Sequence, residues 1–205
     1  MPENKLSILI LGAGGMLGSS LVKWFSSSNK YCITGTTRDG LRPRGLPGKN
    51  GHNVKWKELD ALAADGSKMA KLFYGFGLVI NCIGKVKQCI DDGSMDDRSV
   101  AISTNSIFSI AVARASEISQ TRVVQIGTDC VFSGIKGNYD EKDIHDPTDI
   151  YGKSKSLGEV DSAMQLLLRC SIIRTELESN KSLLSWFLSL PEGAGGKAKD
   201  MIVLS

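Results

Sequence analysis

Three polar side chains in the second half of the chain have the types and the spacing needed for proton transfer. Tyr151 and Lys155 are four residues apart at the start of a predicted helix, so they share one helix face. An unperturbed tyrosine has a pKa of about 10, and a neighbouring ammonium lowers that pKa towards the range in which the phenol is a useful acid. Thr128 follows a predicted strand and can hydrogen-bond the same substrate oxygen. A lone Tyr-x-x-x-Lys pair is common by chance, and its occurrence together with Thr128 makes this chemistry specific.

A glycine turn at residues 12–18 has the spacing of a phosphate-binding turn. It directly follows the first predicted strand and contains Gly-x-x-Gly-x-x-Gly. The first glycine permits a tight turn, the middle ones allow the backbone to approach a phosphate, and the last allows the next helix to pack on the strand. The positive end of that helix then faces the anion. We therefore predict that this turn binds a dinucleotide; the alternative is a turn that only packs against the sheet. The residues predicted to contact the dinucleotide are Gly12, Gly14, Gly15, Met16, Leu17 and Gly18.

Two charged positions bear on which dinucleotide is bound. At the end of the second strand of this type of fold, an acidic residue suits the ribose of NAD and an arginine suits the 2′-phosphate of NADP. The strand ends in Thr36, Thr37 and Arg38, which predicts NADP(H), with NAD(H) kept open because Asp39 is adjacent. Asp60, after the third strand, is placed to meet an adenine amino group or, equally, to cap a helix.

Strands alternate with helices along the chain. Short apolar runs predict strands at 6–11, 31–37, 54–59, 78–83, 122–126 and 166–173. Helices are predicted at 16–27, 67–74, 100–119, 149–164 and 182–190. This alternation predicts an α/β fold with a doubly wound parallel sheet, the Rossmann arrangement, whose ligand crevice lies at the carboxyl ends of the strands. Each motif above follows such an end.

The composition excludes several classes of protein. Hydrophobic residues make up 41% and charged residues 23%, which argues against disorder, collagen and coiled coil. A net charge of +3 calls for neither nucleic acid nor an anionic membrane as partner. The apolar run near the start is too short for a signal peptide or a spanning helix, so we expect a cytoplasmic protein.

The cysteines and histidines predict neither disulfides nor a metal. His52 and His145 lack metal-ligand spacing, and His145 is expected to face solvent rather than substrate. The cysteines are odd in number, lack a C-x-x-C pair and mostly lie in apolar runs, so we predict reduced thiols in the core at Cys32, Cys82, Cys89, Cys130 and Cys170.

Four stretches resemble the extended short-chain dehydrogenases/reductases, and within them the dTDP-4-dehydrorhamnose reductase group. They are LILGAGGMLG at 9–18, VINCIG at 79–84, GTDCVFSGIKGNYDE at 127–141 and PTDIYGKSKSLGE at 147–159. Together they extend over most of the chain. The last two stretches are quite specific to that group.

The resemblance implies roles for individual residues. Thr128, Tyr151 and Lys155 would form the catalytic triad. Tyr151 and Lys155 would also contact the cofactor, with Lys155 bonding the nicotinamide ribose. Asn105, in the long predicted helix, would support the lysine, and Arg38 would face the 2′-phosphate. Cofactor contacts beside the fourth strand are implied for Asn81, Ile83 and Gly84.

The activity implied by the resemblance is reduction of the 4-keto group of a nucleotide-linked deoxysugar by NADPH, for cell-surface polysaccharide synthesis. Tyr151 would protonate the resulting alkoxide. Two alternatives stay open: an NAD-dependent nucleotide-sugar epimerase or dehydratase, against which Arg38 argues, and a non-catalytic NADP-binding regulatory subunit, since fold does not dictate function. The nucleotide, the sugar and the oligomeric state, including a homodimer, stay open.

Two features depart from the group. Cys130 stands where the group commonly has a tyrosine, so a substrate contact differs. The group also continues well beyond Arg174 to build a small lobe that holds the nucleotide sugar, and here only residues 175–205 follow. We therefore expect an NAD(P)-binding domain with the catalytic residues at 1–174 and an incomplete C-terminal substrate lobe at 175–205.

Overall fold

A parallel β-sheet forms the centre of the molecule. The computed structural model describes residues 5–48 and 54–171. Within them the sheet has six strands in the order β3-β2-β1-β4-β5-β6, and every neighbouring pair is parallel. This is the order of the doubly wound fold, and it confirms the predicted fold class. The strands are β1 (Leu6–Leu11), β2 (Tyr31–Thr37), β3 (Val54–Glu58), β4 (Leu78–Asn81), β5 (Val123–Gly127) and β6 (Gln165–Arg169).

Helices connect the strands and cover both faces of the sheet. They are α1 (Met16–Ser26), α2 (Gly66–Phe73), α3 (Met95–Ile102), α4 (Phe108–Ser119) and α5 (Ile150–Leu157). A π-helical segment, Ser103–Ile107, joins α3 to α4. Two short 3-10 turns, Lys87–Cys89 and Asp129–Val131, follow β4 and β5.

Two predicted helices differ from the structure by more than one residue at an end. The helix predicted at 100–119 begins earlier, at Met95, where the Ser94 side chain accepts a hydrogen bond from the Asp97 N–H at 3.2 Å. The helix predicted at 149–164 ends at Leu157, because Gly158 packs directly on the Asn105 carbonyl and the chain then turns towards β6. The helix predicted at 182–190, residues 172–173 of the last predicted strand and the predicted lobe at 175–205 lie outside the described residues.

The core consists of two apolar clusters on opposite faces of the sheet. β1 supplies both, because successive side chains of a strand point to opposite faces. Leu9 and Leu11 pack with α2 and α4, whereas Ile8 and Ile10 pack with Val22 of α1. This two-sided burial explains why β1 reads as an unbroken apolar run.

The prediction that the cysteines are core residues is wrong for four of the five; Cys82 packs against the apolar cluster that contains Ile8 and Ile10. Cys32 and Cys170 are exposed, and the other three are partly buried. Cys82 and Cys170 directly follow strand ends, and Cys130 lies in the 3-10 turn after β5, so all three lie at the open carboxyl edge of the sheet. All five are free thiols, as expected.

Gly158 gives a direct test of the packing between α5 and the π-helical segment. A Cβ at this position would lie 2.1 Å from the Asn105 carbonyl oxygen, a backbone atom that cannot rotate away. We expect Gly158→Ala to lower the free energy of unfolding by roughly 2–3 kcal/mol, measured by urea denaturation. Gly93→Ala is the control, because its Cβ would meet only a side-chain oxygen at 3.3 Å. Equal stability of the two variants would contradict this packing.

Candidate active site

The glycine turn is shaped by contacts with β2 and with the end of β4. Gly12 has a φ of +73°, a left-handed conformation that favours glycine, and a Cβ there would lie 2.7 Å from Ile83 Cγ1. Its N–H donates to Thr36 Oγ1 at 3.1 Å, and the Ala13 N–H donates to the Thr36 carbonyl at 2.9 Å. A Cβ at Gly18 would lie 2.3 Å from the Gly12 carbonyl oxygen, so the last glycine lets α1 pack against the turn.

The N-terminus of α1 lacks the polar cap that most helices have. Gly15 is the N-cap residue, no side chain among the described residues caps the helix, and its first turn holds no acidic residue. The first backbone N–H groups, at Met16 and Leu17, therefore have no carboxylate or hydroxyl from this helix competing for them. Such an end can hold an anion.

A cavity of about 490 Å³ opens at the carboxyl edge of the sheet. It brings together five of the residues predicted for cofactor binding: Gly12, Arg38, Asp60, Ile83 and Gly84. The other glycine-turn residues, Asn81, Tyr151 and Lys155 are not among its lining. Sequence analysis missed the remaining lining residues, most of which adjoin predicted ones at the ends of β2, β3 and β4: Thr36, Thr37, Leu59, Ala61, Leu62, Lys85, Val86, Cys89, Val100 and Thr104.

Of the two charged groups near the end of β2, Arg38 lies at the cavity and Asp39 is hydrogen-bonded within its own turn. Arg38 is exposed and lines the cavity. Asp39 accepts a hydrogen bond from the Leu41 N–H at 3.0 Å, a bond that lowers the pKa of its carboxyl group. Asp39, the acidic alternative that kept NAD(H) open, is thus engaged in a local turn and is not among the cavity lining.

Asp60 and Asn81 organise the loops around the cavity. Asp60 Oδ1 accepts from the Leu62 N–H at 3.0 Å, and the alternative in which it caps a helix is wrong, since Asp65 caps α2. Asn81 is fully buried; its Nδ2 donates to Gln125 Oε1 at 2.8 Å, and its Oδ1 accepts from the Ile83 N–H at 3.0 Å. Its side chain therefore shapes the turn that presents Ile83 to the cavity.

The predicted catalytic residues meet where β5 ends and α5 begins. Thr128 and Lys155 are buried, and Tyr151 is partly buried. Thr128 Oγ1 donates to Asp129 Oδ1 at 3.3 Å and accepts from the Cys130 N–H at 3.2 Å. The Thr128 hydroxyl is also near enough to Tyr151 to oppose the effect of burial on the pKa of its phenol. The Lys155 ammonium donates to the Ile126 carbonyl at 2.8 Å. These contacts hold the first turns of α5 against the end of β5.

Burial controls the pKa of both titrating groups. Burial raises the pKa of Tyr151, against the opposing effect of its hydrogen bond with Thr128. Burial also lowers the pKa of Lys155, against the opposing charge of Glu159. The prediction that Lys155 lowers the pKa of Tyr151 is wrong here. Desolvation and the nearby Asp129 and Asp149 carboxylates raise this pKa, and the Lys155 ammonium donates to the Ile126 carbonyl instead.

Asn105 connects the cavity wall to α5. It is buried in the π-helical segment, a helical irregularity that often occurs at functional sites. Its Oδ1 accepts from the Lys85 N–H at 2.8 Å, and its Nδ2 donates to the Lys85 carbonyl and to Ser154 Oγ, both at 3.0 Å. A Cβ at Gly84 would lie 3.3 Å from Asn105 Oδ1 and 3.8 Å from Lys155 Nζ, so these two groups flank the same glycine.

His145 belongs to an internal polar cluster, which corrects the expectation that it faces solvent. Its Nδ1 lies 2.8 Å from Ser156 Oγ and its Nε2 lies 2.9 Å from Arg169 Nη2. Arg169 in turn donates to both carboxylate oxygens of Glu159, with its shortest contact at 2.7 Å. The cluster joins the loop before α5 to β6. His52 lies outside the described residues.

The fold and these side chains define the class of protein: an extended short-chain dehydrogenase/reductase with a Rossmann sheet. The family model described as RmlD substrate binding domain matches residues 6–186. The chain belongs to this family. No helix within the described residues is long and apolar enough to cross a membrane.

Individual relatives agree with this assignment at low identity. The dTDP-4-dehydrorhamnose reductase of Aggregatibacter actinomycetemcomitans is 29% identical over 153 residues, which are 74% of this chain and 45% of that protein. Methionine adenosyltransferase 2 subunit beta of Bos taurus is 26% identical over 154 residues, 74% of this chain and 41% of that protein. The chain thus spans less than half the length of each of these relatives.

A solved structure shows the same fold. The crystal structure of dTDP-4-dehydrorhamnose reductase from Bacillus anthracis str. Ames in complex with NADP is 27% identical and superposes with a TM-score of 0.57. The superposition covers 75% of this chain and 48% of that one.

The buried ammonium of Lys155 predicts a pH-dependent stability. Its folded pKa is below the unfolded value of 10.5, so between the two values the unfolded chain binds more protons and stability rises with pH. We expect Lys155→Met to raise the free energy of unfolding by about 1–2 kcal/mol near neutral pH. This gain should shrink as the pH approaches 10.5.

Urea denaturation at neutral and alkaline pH measures this difference. The Ile126 carbonyl keeps a hydrogen bond from Gln125 Nε2 at 3.3 Å in the variant. Lys153→Met, an exposed lysine on the same helix, is the control and should show no such pH dependence. A Lys155→Met effect independent of pH would show that the ammonium is not desolvated.

Proposed function

We propose that this chain carries out the NADPH-dependent reduction of the 4-keto group of a nucleotide-linked deoxysugar. The single observation that carries the proposal is that Thr128, Tyr151 and Lys155 meet at the carboxyl edge of the sheet that also holds the cavity with Arg38. The names of the two reductases above, from Aggregatibacter actinomycetemcomitans and Bacillus anthracis, support the same activity.

The residues present fit a dinucleotide with a 2′-phosphate. The left-handed Gly12 and the uncapped start of α1 leave backbone N–H groups for a pyrophosphate. The Arg38 guanidinium, exposed at the cavity, can pair with a 2′-phosphate, whereas Asp39 is hydrogen-bonded locally. We therefore favour NADP(H), with NAD(H) as the weaker ligand. Asp60, Ile83 and Gly84 would contact the same cofactor. Asn81 would hold the turn that carries Ile83 through its hydrogen bond to the Ile83 N–H.

The proposed chemistry places one proton and one hydrogen bond on the carbonyl oxygen of the substrate. Bound NADPH would supply the hydride. Tyr151 keeps its proton at neutral pH because burial raises its pKa, and it would donate that proton to the oxygen on which charge develops. The Thr128 hydroxyl would hydrogen-bond the same oxygen. Lys155 would stabilise the tyrosinate that remains. Asn105 would hold α5, which carries Lys155, at a fixed position relative to Lys85 in the cavity wall.

A second candidate is a non-catalytic NADP-binding subunit. The similarity to methionine adenosyltransferase 2 subunit beta of Bos taurus favours this candidate. The presence of Thr128, Tyr151 and Lys155 where β5 ends and α5 begins favours catalysis instead, because a binding subunit needs no proton donor. An epimerase or dehydratase that retains NAD is the least supported reading, since Arg38 occupies the position where an acidic residue suits NAD.

The proposal extends to the organisation and surroundings of the protein. Residues 1–174 would form the NAD(P)-binding domain, and 175–205 would belong to a substrate lobe that holds the nucleotide sugar. The five free thiols support a reducing compartment such as the cytoplasm. Exposed apolar side chains on the outer side of α4, among them Ile110, support a homodimer, which light scattering would test.

Tyr151→Phe separates cofactor binding from turnover. The variant loses only the hydroxyl, so we expect NADPH affinity to stay within about twofold and turnover with a 4-keto nucleotide sugar to fall by about 10³-fold. Fluorescence titration and the absorbance of NADPH measure the two quantities. Tyr74→Phe, an exposed tyrosine outside the cavity lining, is the matched control. If Tyr151→Phe retained turnover, Tyr151 would not be the proton donor. If the wild-type chain bound NADPH without turnover, the non-catalytic regulatory subunit would be favoured.

Arg38→Ala tests the choice of cofactor. Loss of the guanidinium should weaken NADPH binding by about 10-fold to 100-fold and leave NADH binding nearly unchanged, because only NADPH carries the 2′-phosphate. Arg98→Ala, an exposed arginine on α3, is the control. If Arg38→Ala lowered the affinities for NADPH and NADH equally, Arg38 would not contact the 2′-phosphate.

A further inference from the structure

The segment of residues 85–97, here named the bridge segment, lies between the cavity and α5. Lys85, Val86 and Cys89 of this segment line the cavity. Lys87 and Asp92 of the same segment contact the start of α5 instead. One short stretch of chain therefore contacts both the proposed cofactor site and the helix that carries the proposed acid.

The bridge segment is held as a unit by its own polar contacts. The Lys85 N–H and carbonyl are both hydrogen-bonded to the Asn105 side chain. The Lys85 ammonium pairs with Asp97, and the other oxygen of Asp97 accepts from the Asp91 N–H at 3.0 Å. We therefore expect a movement of Lys85 at the cavity to move the rest of the bridge segment with it.

Two carboxylates hold the start of α5, one on each side of Tyr151. Asp92 Oδ2 accepts from the Ile150 N–H at 3.3 Å, and Asp149 Oδ1 accepts from the Gly152 N–H at 2.7 Å. Asp149 Oδ2 also pairs with Lys87 Nζ at 3.0 Å. The bridge segment thus holds the first turn of α5 directly through Asp92 and indirectly through Lys87 and the capping residue. Negative charge here is also favoured by the helix dipole.

We propose that Lys87 and Asp149 are positioning residues that couple occupancy of the cavity to the placement of Tyr151. The inference rests on the proposed function, because it assigns the cavity to the cofactor and Tyr151 to the proton transfer. Although burial opposes ionisation of Asp149, the Gly152 N–H and the Lys87 ammonium hold the pKa of its carboxyl group below the usual value. The pair is therefore charged at neutral pH, and it fixes the distance between the bridge segment and the first turn of α5.

The variants are chosen to remove the ion pair without removing the helix cap. Lys87→Met removes the charge and Lys87→Arg retains it. Asp149→Asn also removes the pair, while asparagine remains a good N-cap residue. Lys68→Met is the matched control: Lys68 pairs at 3.6 Å with Asp65, which caps α2 in the same way, and α2 contributes no residue to the cavity lining.

Hydrogen exchange of α5 in the free protein is the first measurement. We expect exchange in residues 150–157 to be about threefold faster in Lys87→Met and in Asp149→Asn, with no further increase in the double variant. Lys87→Arg and Lys68→Met should match the wild type. Unchanged exchange of α5 in Lys87→Met would overturn the inference, whether or not the chain binds a cofactor.

The second measurement asks whether the cavity and α5 are coupled. NADPH should slow exchange in α5 of the wild type and of Lys87→Arg, and this slowing should be lost in Lys87→Met, although NADPH still binds within about twofold of the wild-type affinity. In turnover, Lys87→Met should lower kcat by about tenfold with little change in KM. If NADPH still slowed hydrogen exchange in α5 of Lys87→Met and the kcat of this variant were unchanged, the coupling would be overturned. A wild-type chain that fails to bind NADPH would overturn the proposed function, and the exchange of the free protein would still decide the role of Lys87.

Discussion

The buried amide of Asn105 is the contact on which the arrangement of the site depends. It makes three hydrogen bonds, two to the backbone of Lys85 at the cavity wall and one to Ser154 on α5. Loss of this side chain would leave the partly buried N–H and carbonyl of Lys85 without these hydrogen bonds, each at a cost of up to about 1 kcal/mol. The carbonyl of the same residue receives Gly158 at the end of α5. One residue therefore fixes the backbone of Lys85 at the cavity and the position of α5.

Desolvation then determines the charge state of the groups that this framework brings together. It raises the pKa of Tyr151 and lowers that of Lys155, so both shifts favour the neutral form. For an acid that must hold its proton until a substrate oxygen gains charge, a raised pKa in the resting state is suitable. The lysine keeps a hydrogen bond to the Ile126 carbonyl, which partly compensates its burial.

The sequence predicted the elements whose signal is local. β1 and β2 have the predicted limits, because each is an apolar run ended by polar or glycine residues. The end of α5 was not predictable in this way, since Gly158 terminates it through contact with Asn105, a residue distant in the sequence. The early start of α3 left a weak signal in Ser94 and Asp97, the pattern of a helix N-terminus.

The sequence predicted three members of the site and not their electrostatics. Thr128, at a strand end, and the Tyr151 and Lys155 pair, four residues apart, were expected together, and the structure brings them to one end of the sheet. The pattern could not show that burial raises the pKa of Tyr151, because desolvation depends on what the rest of the fold places around a group. The bridge segment was missed for a related reason: its contacts with α5 join Lys87 to Asp149 across a long stretch of chain.

The proposed cofactor contacts and the proposed proton donor lie on two different groups of elements. The cavity is built from the ends of β1, β2, β3 and β4 with part of α3, whereas Tyr151, the proposed donor, lies on α5 beside β5. Cys130, partly buried next to Thr128, lies on the second side only, so a change there alters what the donor faces and leaves the cavity unchanged. Asn105 contacts both sides through Lys85 and Ser154, and the bridge segment does so through Lys85 at the cavity and Asp92 at the start of α5. A substitution at either place is therefore expected to change how the cavity and α5 are aligned.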